Sequence, residues 1–471
     1  MQPFALSHRM GYAATCTALA MAMTGCGVNA PDQRGAVEAQ AEAAYGDEPQ
    51  RDHAALASEA EQPSAGAAQR SPASTYLVSS RATFEGIRGN ARQLSSRRDR
   101  TGTELIVSKV EAHALPQAVE YVHREERRCG GFFAFGSQAE AEAFVRKEAS
   151  ATQAAAATAL SYTLDNGPTV ERWLPRAEEP RLRATMAHLS SYQNRYYAST
   201  TGRQSAEWIR DTWQALGAGR SDVSAQLFTA CGNCATQPSV VLTIRGSQLP
   251  DEVVVLGAHL DSINASDRAN PLQLAPGADD DASGIAVLTE TLRIAMEDGW
   301  RPLRTVKFMG YAAEEVGLRG SNAIAQAHRA GGVNVVAALQ VDMTNYKSGN
   351  TQDMKLIADY SDPTLQAFFR QLFDTYMAPR GYTRGSYTCG YGCSDHASWT
   401  AAGYPAAMMF EAGDPYGAFP YIHTTSDTLA TMGDSAANSV KFAQFALAYL
   451  AETAKTRTVT KSRPLPPERQ G

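Results

Sequence analysis

Two imidazoles and three carboxylates lie along one stretch of this chain, each at the end of an apolar run: His259, Asp280, Glu315, Asp342 and His423. They are the hard and borderline ligands that a pair of zinc-like ions takes, and Glu314, beside one of them, is placed to serve as a general base. As a set they imply a hydrolase built on two metal ions.

The local sequence supplies the elements that must position them. Val253-Val254-Val255-Leu256-Gly257 is a short β-branched run that leads into Ala258-His259-Leu260-Asp261-Ser262, so His259 is expected at the carboxyl end of a buried strand. Ligands of open α/β sheets collect at that end. Residues 275–284, Ala-Pro-Gly-Ala-Asp-Asp-Asp-Ala-Ser-Gly, form a turn-rich acidic loop before a helix from about Ile285 to Met296. Its three adjacent carboxylates repel one another unless a cation holds them. A second strand, Thr305 to Tyr311, runs into Glu314 and Glu315; a third, Val335 to Val341, ends at Asp342. His423 follows the strand-like Ala406 to Phe410, and Asp261, two residues after His259, could orient that imidazole.

The stretches GAHLDS, APGADDDASGIA, YAAEEVGLRGS, LQVDMTNYK, CGYGCSDHASW, AGYPAAMMFE and IHTTSDTL resemble the bacterial leucyl aminopeptidases, secreted members of the co-catalytic zinc aminopeptidase family. The likeness spans about Gly167 to Ala454. It implies two Zn2+ ions per catalytic domain, with Asp280 shared between them. One ion would add Glu315 and His423, the other His259 and Asp342, with Asp261 as the partner of His259. It also implies a cis peptide between Asp280 and Asp281, a disulfide between Cys389 and Cys393, and Tyr391 as a hydroxyl donor to the developing oxyanion. Met343, Ile357, Met408, Phe410 and Ile422 match walls of the pocket for the first residue. Large apolar side chains are expected there. Between Glu411 and His423 the chain departs from the family pattern: Gly413 to Gly417 is one residue longer, and Met409 stands where a proline is usual. Leucine, phenylalanine and methionine therefore all stay open as the preferred first residue.

The chemistry answers a specific difficulty: a peptide bond is a poor electrophile and neutral water a poor nucleophile. Two dications about 3.5 to 4 Å apart polarise the carbonyl and bring a shared water toward a pKa of about 7. Glu314 can take that proton and return it to the leaving amine. By the resemblance, substrates are peptides with a free amino terminus.

Seven cysteines bear on the compartment. Cys231 and Cys234 form a C-x-x-C pair, which could be a redox couple, half a zinc ribbon or a local disulfide; no second such pair exists to complete a ribbon, and the disulfide is the favoured reading. Residues 1–30 carry Arg9, an apolar stretch from Met10 to Met23 and then Gly25-Cys26, which reads as a signal peptide. Lipidation at Cys26 and plain cleavage after Ala30 both remain open, and the protein is expected to be secreted or periplasmic. The apolar stretch is short for a spanning helix, and no other run approaches membrane length.

Residues 31–74, rich in Ala, Glu, Gln, Ser and Pro, read as disordered linker. Residues 75–165 read as a small α+β prosegment, with strands at Glu104 to Ser108 and Cys129 to Phe135 and a helix at Gln138 to Glu148. The resembled enzymes carry such a segment, removed by a processing protease, and Ala154 to Ala159 is a candidate junction. Residues 166–456 read as the catalytic domain, an α/β unit of the zinc-dependent exopeptidase type with a mostly parallel central sheet sandwiched by helices. Residues 457–471 read as a flexible tail. A net charge of −6 with interspersed signs argues against nucleic acid, and a monomer is expected. A glutaminyl cyclase or carboxypeptidase of the same fold would depart from these motifs, and a metal-free receptor relative would lack ligands that are all present.

Overall fold

Residues 74–99, 102–126, 130–150, 162–267, 269–414, 417 and 419–456 are described by a computed structural model. The leader with Cys26, most of the linker, Cys129, the Ala154 to Ala159 junction and the tail lie outside them.

The first body is a four-stranded antiparallel sheet of β1 (Ser74–Ser80), β2 (Ala91–Arg98), β3 (Glu104–Glu111) and β4 (Phe132–Phe135), ordered β2-β3-β1-β4. Helices α1 (Arg81–Ile87), α2 (Leu115–Glu120) and α3 (Gln138–Ser150) cover it. Alternation sorts the side chains by face: Val78, Leu105, Val107 and Phe133 pack with Phe144 and Val145 of α3, whereas Leu77, Val110, Phe132 and Ala134 pack with Leu115, Ala118 and Val119 of α2. The predicted strands and helix of this segment are present, and β1, β2, α1 and α2 are additional. β2, Ala-Arg-Gln-Leu-Ser-Ser-Arg-Arg, is an exposed edge with no alternating apolar residues to announce it.

The second body begins by residue 162. Tyr162 stacks on Phe368 at 4.8 Å and donates to the Val336 carbonyl at 2.7 Å, and the Asp165 and Asn166 amides both donate to Glu452. The sequence reading assigned Tyr162 and Asp165 to the prosegment. After α4 (Gly167–Trp173), α5 (Glu179–Ser190) and α6 (Thr200–Leu216) come β5 (Val223–Phe228), β6 (Ser239–Ile244), β7 (Leu249–His259), α7 (Ala282–Glu297) and β8 (Arg304–Tyr311). Then follow α8 (Arg319–Ala330), β9 (Asn334–Asp342), β10 (Met354–Ile357), α9 (Pro363–Leu372), β11 (Arg384–Tyr387), α10 (His396–Ala401), β12 (Ala406–Glu411) and α11 (Ala437–Ala454).

The sheet order is β11-β10-β12-β9-β7-β8-β6-β5, and the four central strands β12, β9, β7 and β8 run parallel. Burial on both faces explains why β7 reads as a continuous apolar run: Val254, Leu256 and Ala258 face α7 and α11, and Val253 and Val255 face Ile324 of α8 and Trp399 of α10. Each such buried valine or leucine contributes about 1.5 to 3 kcal/mol, so the strand ends rest on a rigid base. The edge strands β5 and β11 escaped the sequence reading because they are short or half polar and only one of their residues, Val223, is buried.

Candidate active site

Register delivers the metal-binding side chains to one edge. Gly257 of β7 lies opposite Gln340 of β9, so His259 and Asp342 each emerge two residues later at neighbouring carboxyl ends. His259 also pairs with Tyr311, the last residue of β8, from which the chain turns through Ala312 and Ala313 to Glu314 and Glu315. All five predicted ligands are at most 3% exposed.

The Asp280 carboxylate stands between the two imidazoles. His259 Nε2 lies 2.9 Å from Asp280 Oδ1 and 3.5 Å from Asp342 Oδ1; His423 Nε2 lies 2.8 Å from Asp280 Oδ2 and 3.1 Å from Glu315 Oε2. Two triads result, His259-Asp280-Asp342 and Asp280-Glu315-His423, each with its ligand atoms within 4.8 Å of one another. Nitrogen and carboxylate donors in threes, with further positions left to water or substrate, suit zinc. Their charge suits a cation as well. Burial, and then the neighbouring Asp280, raise Glu315 to about 7; His423 is raised to about 10 because Glu315 and Asp280 outweigh the burial that opposes its protonation. Removed from water in this way, the carboxylates need positive charge to stay ionised.

Backbone bonds fix the loops. Asp427 accepts from the Asp279 and Asp280 amides at 2.8 and 3.1 Å and so orients the acidic loop. Asp281 caps α7 by accepting from Gly284 N at 2.8 Å; its oxygens also accept from the amides of His259 at 3.1 Å and Met343 at 3.2 Å, tying β7, α7 and β9 together. The Asp280–Asp281 peptide is cis. Asp261 accepts from the Glu314 and Glu315 amides at 2.9 and 3.3 Å, while its carbonyl oxygen faces His259 Nδ1 at 3.2 Å. It thus holds the glutamate loop as well as the histidine. Ser394 Oγ donates to Asp342 Oδ2 at 2.6 Å. Neither Asp427 nor Ser394 was singled out from the sequence, although both sit inside quoted motifs; lone Asp and Ser carry no local signal of long-range bonding.

Glu314 is fully buried and belongs to neither triad, and neither of its carboxylate oxygens has a hydrogen-bond partner among the described residues. Burial first, then Glu315, Asp395 and Asp342, push its pKa well above the usual carboxylate range. A carboxylate so raised and so unengaged is suited to carrying a proton during a reaction.

Met343, Ile357, Met408 and Phe410 come together in one apolar cluster with Cys393 and Phe419, and Ile422 packs against it. Phe419 was not anticipated. Met409, on the opposite face of β12, points into the main core, so its replacement of the usual proline does not line this cluster. Pro415 and Tyr416 of the longer loop lie outside the described residues. Cys389 and Cys393 form a disulfide, as do Cys231 and Cys234.

Tyr391 goes elsewhere. It packs with Phe133 of β4, ring centroids 5.8 Å apart, and with Tyr360 at 4.9 Å; its phenol is raised well above 10 by burial and by Glu148, on the first body. The first body touches three loops of the second: Ala134 N donates to the Gly317 carbonyl of the glutamate loop at 3.2 Å, Asn233 Nδ2 donates to the Ala134 carbonyl at 3.0 Å, and Gly131 N donates to the Gly392 carbonyl at 2.8 Å. Gly130, at φ +57°, approaches so closely that a Cβ there would stand 3.2 Å from Glu314 Oε1 and 2.3 Å from the Gly392 oxygen.

The profile of peptidase family M28 matches residues 239–448. The chain is 38% identical over 266 residues to a probable leucine aminopeptidase of Arthroderma otae, covering 55% of this chain and 70% of that one. It is 37% identical over 266 residues to leucine aminopeptidase 1 of Fusarium vanettenii, covering 54% and 64%. Among solved structures, the LapA aminopeptidase of Legionella pneumophila superposes with a TM-score of 0.67 at 26% identity, over 82% of this chain and 99% of its own. LapB of the same organism gives 0.68 at 25%, over 81% and 99%. Spans of that length exceed residues 162–456, so the likeness reaches into the first body. The sequence relatives are fungal and the structural ones bacterial; the likeness is to the family, not to a bacterial subgroup.

Proposed function

The chain belongs to peptidase family M28 and is a zinc-dependent metallo-aminopeptidase, and on that premise we propose that it removes a large apolar first residue, such as leucine, by a two-zinc mechanism. His259 and Asp342 would hold one ion and Glu315 and His423 the other, with Asp280 available to both. The observation that carries this reading is the Asp280 carboxylate, whose two oxygens lie 2.9 and 2.8 Å from two different buried imidazoles.

Zinc bound there would supply Lewis acidity for the scissile carbonyl and for water. The rest falls to the chain's own groups. Glu314 accepts a proton from the attacking water and delivers it to the departing amine; burial raises its pKa above the usual carboxylate range and so favours the proton-carrying form. The cluster of Met343, Ile357, Met408, Phe410, Phe419 and Ile422 receives the first side chain.

The first body is read as a restraining prosegment. In support, Gly130 abuts Glu314, and β4 grips the loop that carries both glutamates. Tyr391, the oxyanion donor suggested by resemblance, packs against Phe133 in this arrangement and could turn toward substrate once that body leaves. Cleavage between residues 151 and 161 would free it. Export is proposed on the leader-like residues 1–30, and two disulfides suit an oxidising compartment.

The test measures bound zinc and initial rates on leucyl anilide, amino-blocked leucyl anilide and a carboxypeptidase substrate, before and after trimming near residue 160. Two zinc ions per chain and activity on the free-amine anilide alone are expected. Turnover confined to the blocked or carboxyl-terminal substrate would reject the proposal.

A further inference from the structure

Beneath the acidic loop, outside the family-matched residues, lies a buried arginine that the reaction scheme does not use. Arg195 is 1% exposed. Its partners among the described residues are backbone carbonyls rather than carboxylates. Nε donates to Leu260 O at 3.0 Å; Nη1 donates to Pro276 O at 2.6 Å and Leu189 O at 3.2 Å; Nη2 donates to Gly277 O at 2.8 Å and, at 3.5 Å, to Asp280 O. Leu260 lies between His259 and Asp261, and Pro276 to Asp280 is the loop of the shared aspartate. The residue's own backbone extends the reach. Its amide donates to Ser262 Oγ at 3.0 Å, and that hydroxyl donates to Ala275 O at 2.8 Å; its carbonyl accepts from Gln237 Nε2 at 2.7 Å, and Gln237 Oε1 accepts from Ala313 N, beside Glu314, at 3.2 Å.

We propose that Arg195 is a positioning residue for the metal site, holding the His259, Asp280 and Glu314 loops in mutual register from below. The inference rests on the two-zinc reading. A planar guanidinium carries five donors in a fixed fork, so it can serve separate carbonyls at once, whereas a lysine presents three donors from a single point. Its charge sits among Asp427, Asp281, Asp280 and Asp261, which attract it while leaving their own oxygens for other bonds. Close approach is built in at Gly277: its φ is +52°, and a Cβ there would stand 2.8 Å from Arg195 Nη2 and 2.4 Å from Asp280 O.

The experiment compares wild type with Arg195→Lys, both full-length and chelator-stripped, by calorimetric zinc titration and by the visible spectrum of the cobalt-substituted protein. Arg195→Lys keeps the charge and loses the fork. Outer partners of metal ligands typically govern 10- to 100-fold in affinity, so zinc binding at least about tenfold weaker and an altered cobalt spectrum are expected. Wild-type affinity and spectrum in Arg195→Lys, whatever happens to its melting temperature, would overturn the proposal. If that variant does not fold, Ser262→Ala is the substitute: a smaller loss of affinity with a cobalt change supports the role, and none overturns it. A wild type that binds no zinc would sink the two-zinc reading and this inference together, an outcome distinct from failure of the Arg195 variant alone.

Discussion

Replacing Glu314 with glutamine isolates its chemistry from its architecture. The side chain is fully buried, its oxygens have no hydrogen-bond partner among the described residues, and it belongs to neither ligand triad. The loop is held instead through the Glu314 amide on Asp261 Oδ1 at 2.9 Å, a bond the substitution leaves in place. Glu314→Gln should therefore keep its zinc. Loss of a general base costs about 10²- to 10⁴-fold in rate, or roughly 2.7 to 5.5 kcal/mol of barrier. We expect kcat for leucyl anilide, measured after trimming near residue 160, to fall by that factor with KM little changed. Stability supplies a second readout in the zinc-free protein. Burial, then neighbouring carboxylates, raise the Glu314 pKa in the folded chain, so its contribution is fully present below 4.5, the ordinary value, and is lost as pH rises through the raised one. Glutamine does not titrate. The variant should gain on wild type as pH rises above 4.5. A zinc-replete Glu314→Gln enzyme with kcat within about threefold of wild type would refute the assignment, because no general-base role is that small.

Other perturbations probe the metals, the first body and a distant ion pair. Stripping zinc removes a bound ligand from among Asp280, Glu315 and Asp342; a ligand at 100 times its Kd stabilises by about 2.7 kcal/mol, so calorimetry should show melting lowered by several degrees, and equal melts with and without chelator would count against a metal centre. Proteolysis confined to residues 151–161 should raise kcat/KM at least about tenfold if Gly130 and β4 occlude the site, and adding back the isolated fragment should not be needed to see it; unchanged activity after complete trimming would remove the prosegment reading. Asp353 is brought down to about 2: burial would raise it, but the Lys347 ammonium at 2.6 Å and the Thr383 amide outweigh that. Because its folded pKa is depressed, its stabilisation is present above 3.8 and is lost as pH falls through about 2, so Asp353→Asn should melt below wild type at pH 7 with the gap closing between about pH 4 and 2. A pH-independent gap would assign its effect to packing.

Much of the site was legible because its ligands sit where local patterns end. The β-branched run of β7 announces a strand, the glycine and aspartates of residues 275–284 announce a turn, and His259, Asp342 and His423 each directly follow an apolar residue. The third strand, expected over Val335 to Val341, spans Asn334–Asp342, since a strand buried on both faces reads as a near-continuous apolar run. The family motifs add the ligand set, because chemistry restricts residue types most tightly at the reacting groups.

Tertiary structure alone decided what depends on contacts far apart in the chain. Arg195 looks like any surface arginine until the fold closes four segments around it, and Asp427 is one acid among 49 until the amides of Asp279 and Asp280 point at it. Tyr391 kept its place in the motif, yet its ring lies against Phe133, 258 positions earlier, because an aromatic ring follows the apolar surface available to it. Side-chain period and turn chemistry act over a few residues and can be read in order; hydrogen bonds across the site join residues that only the packed sheet makes neighbours.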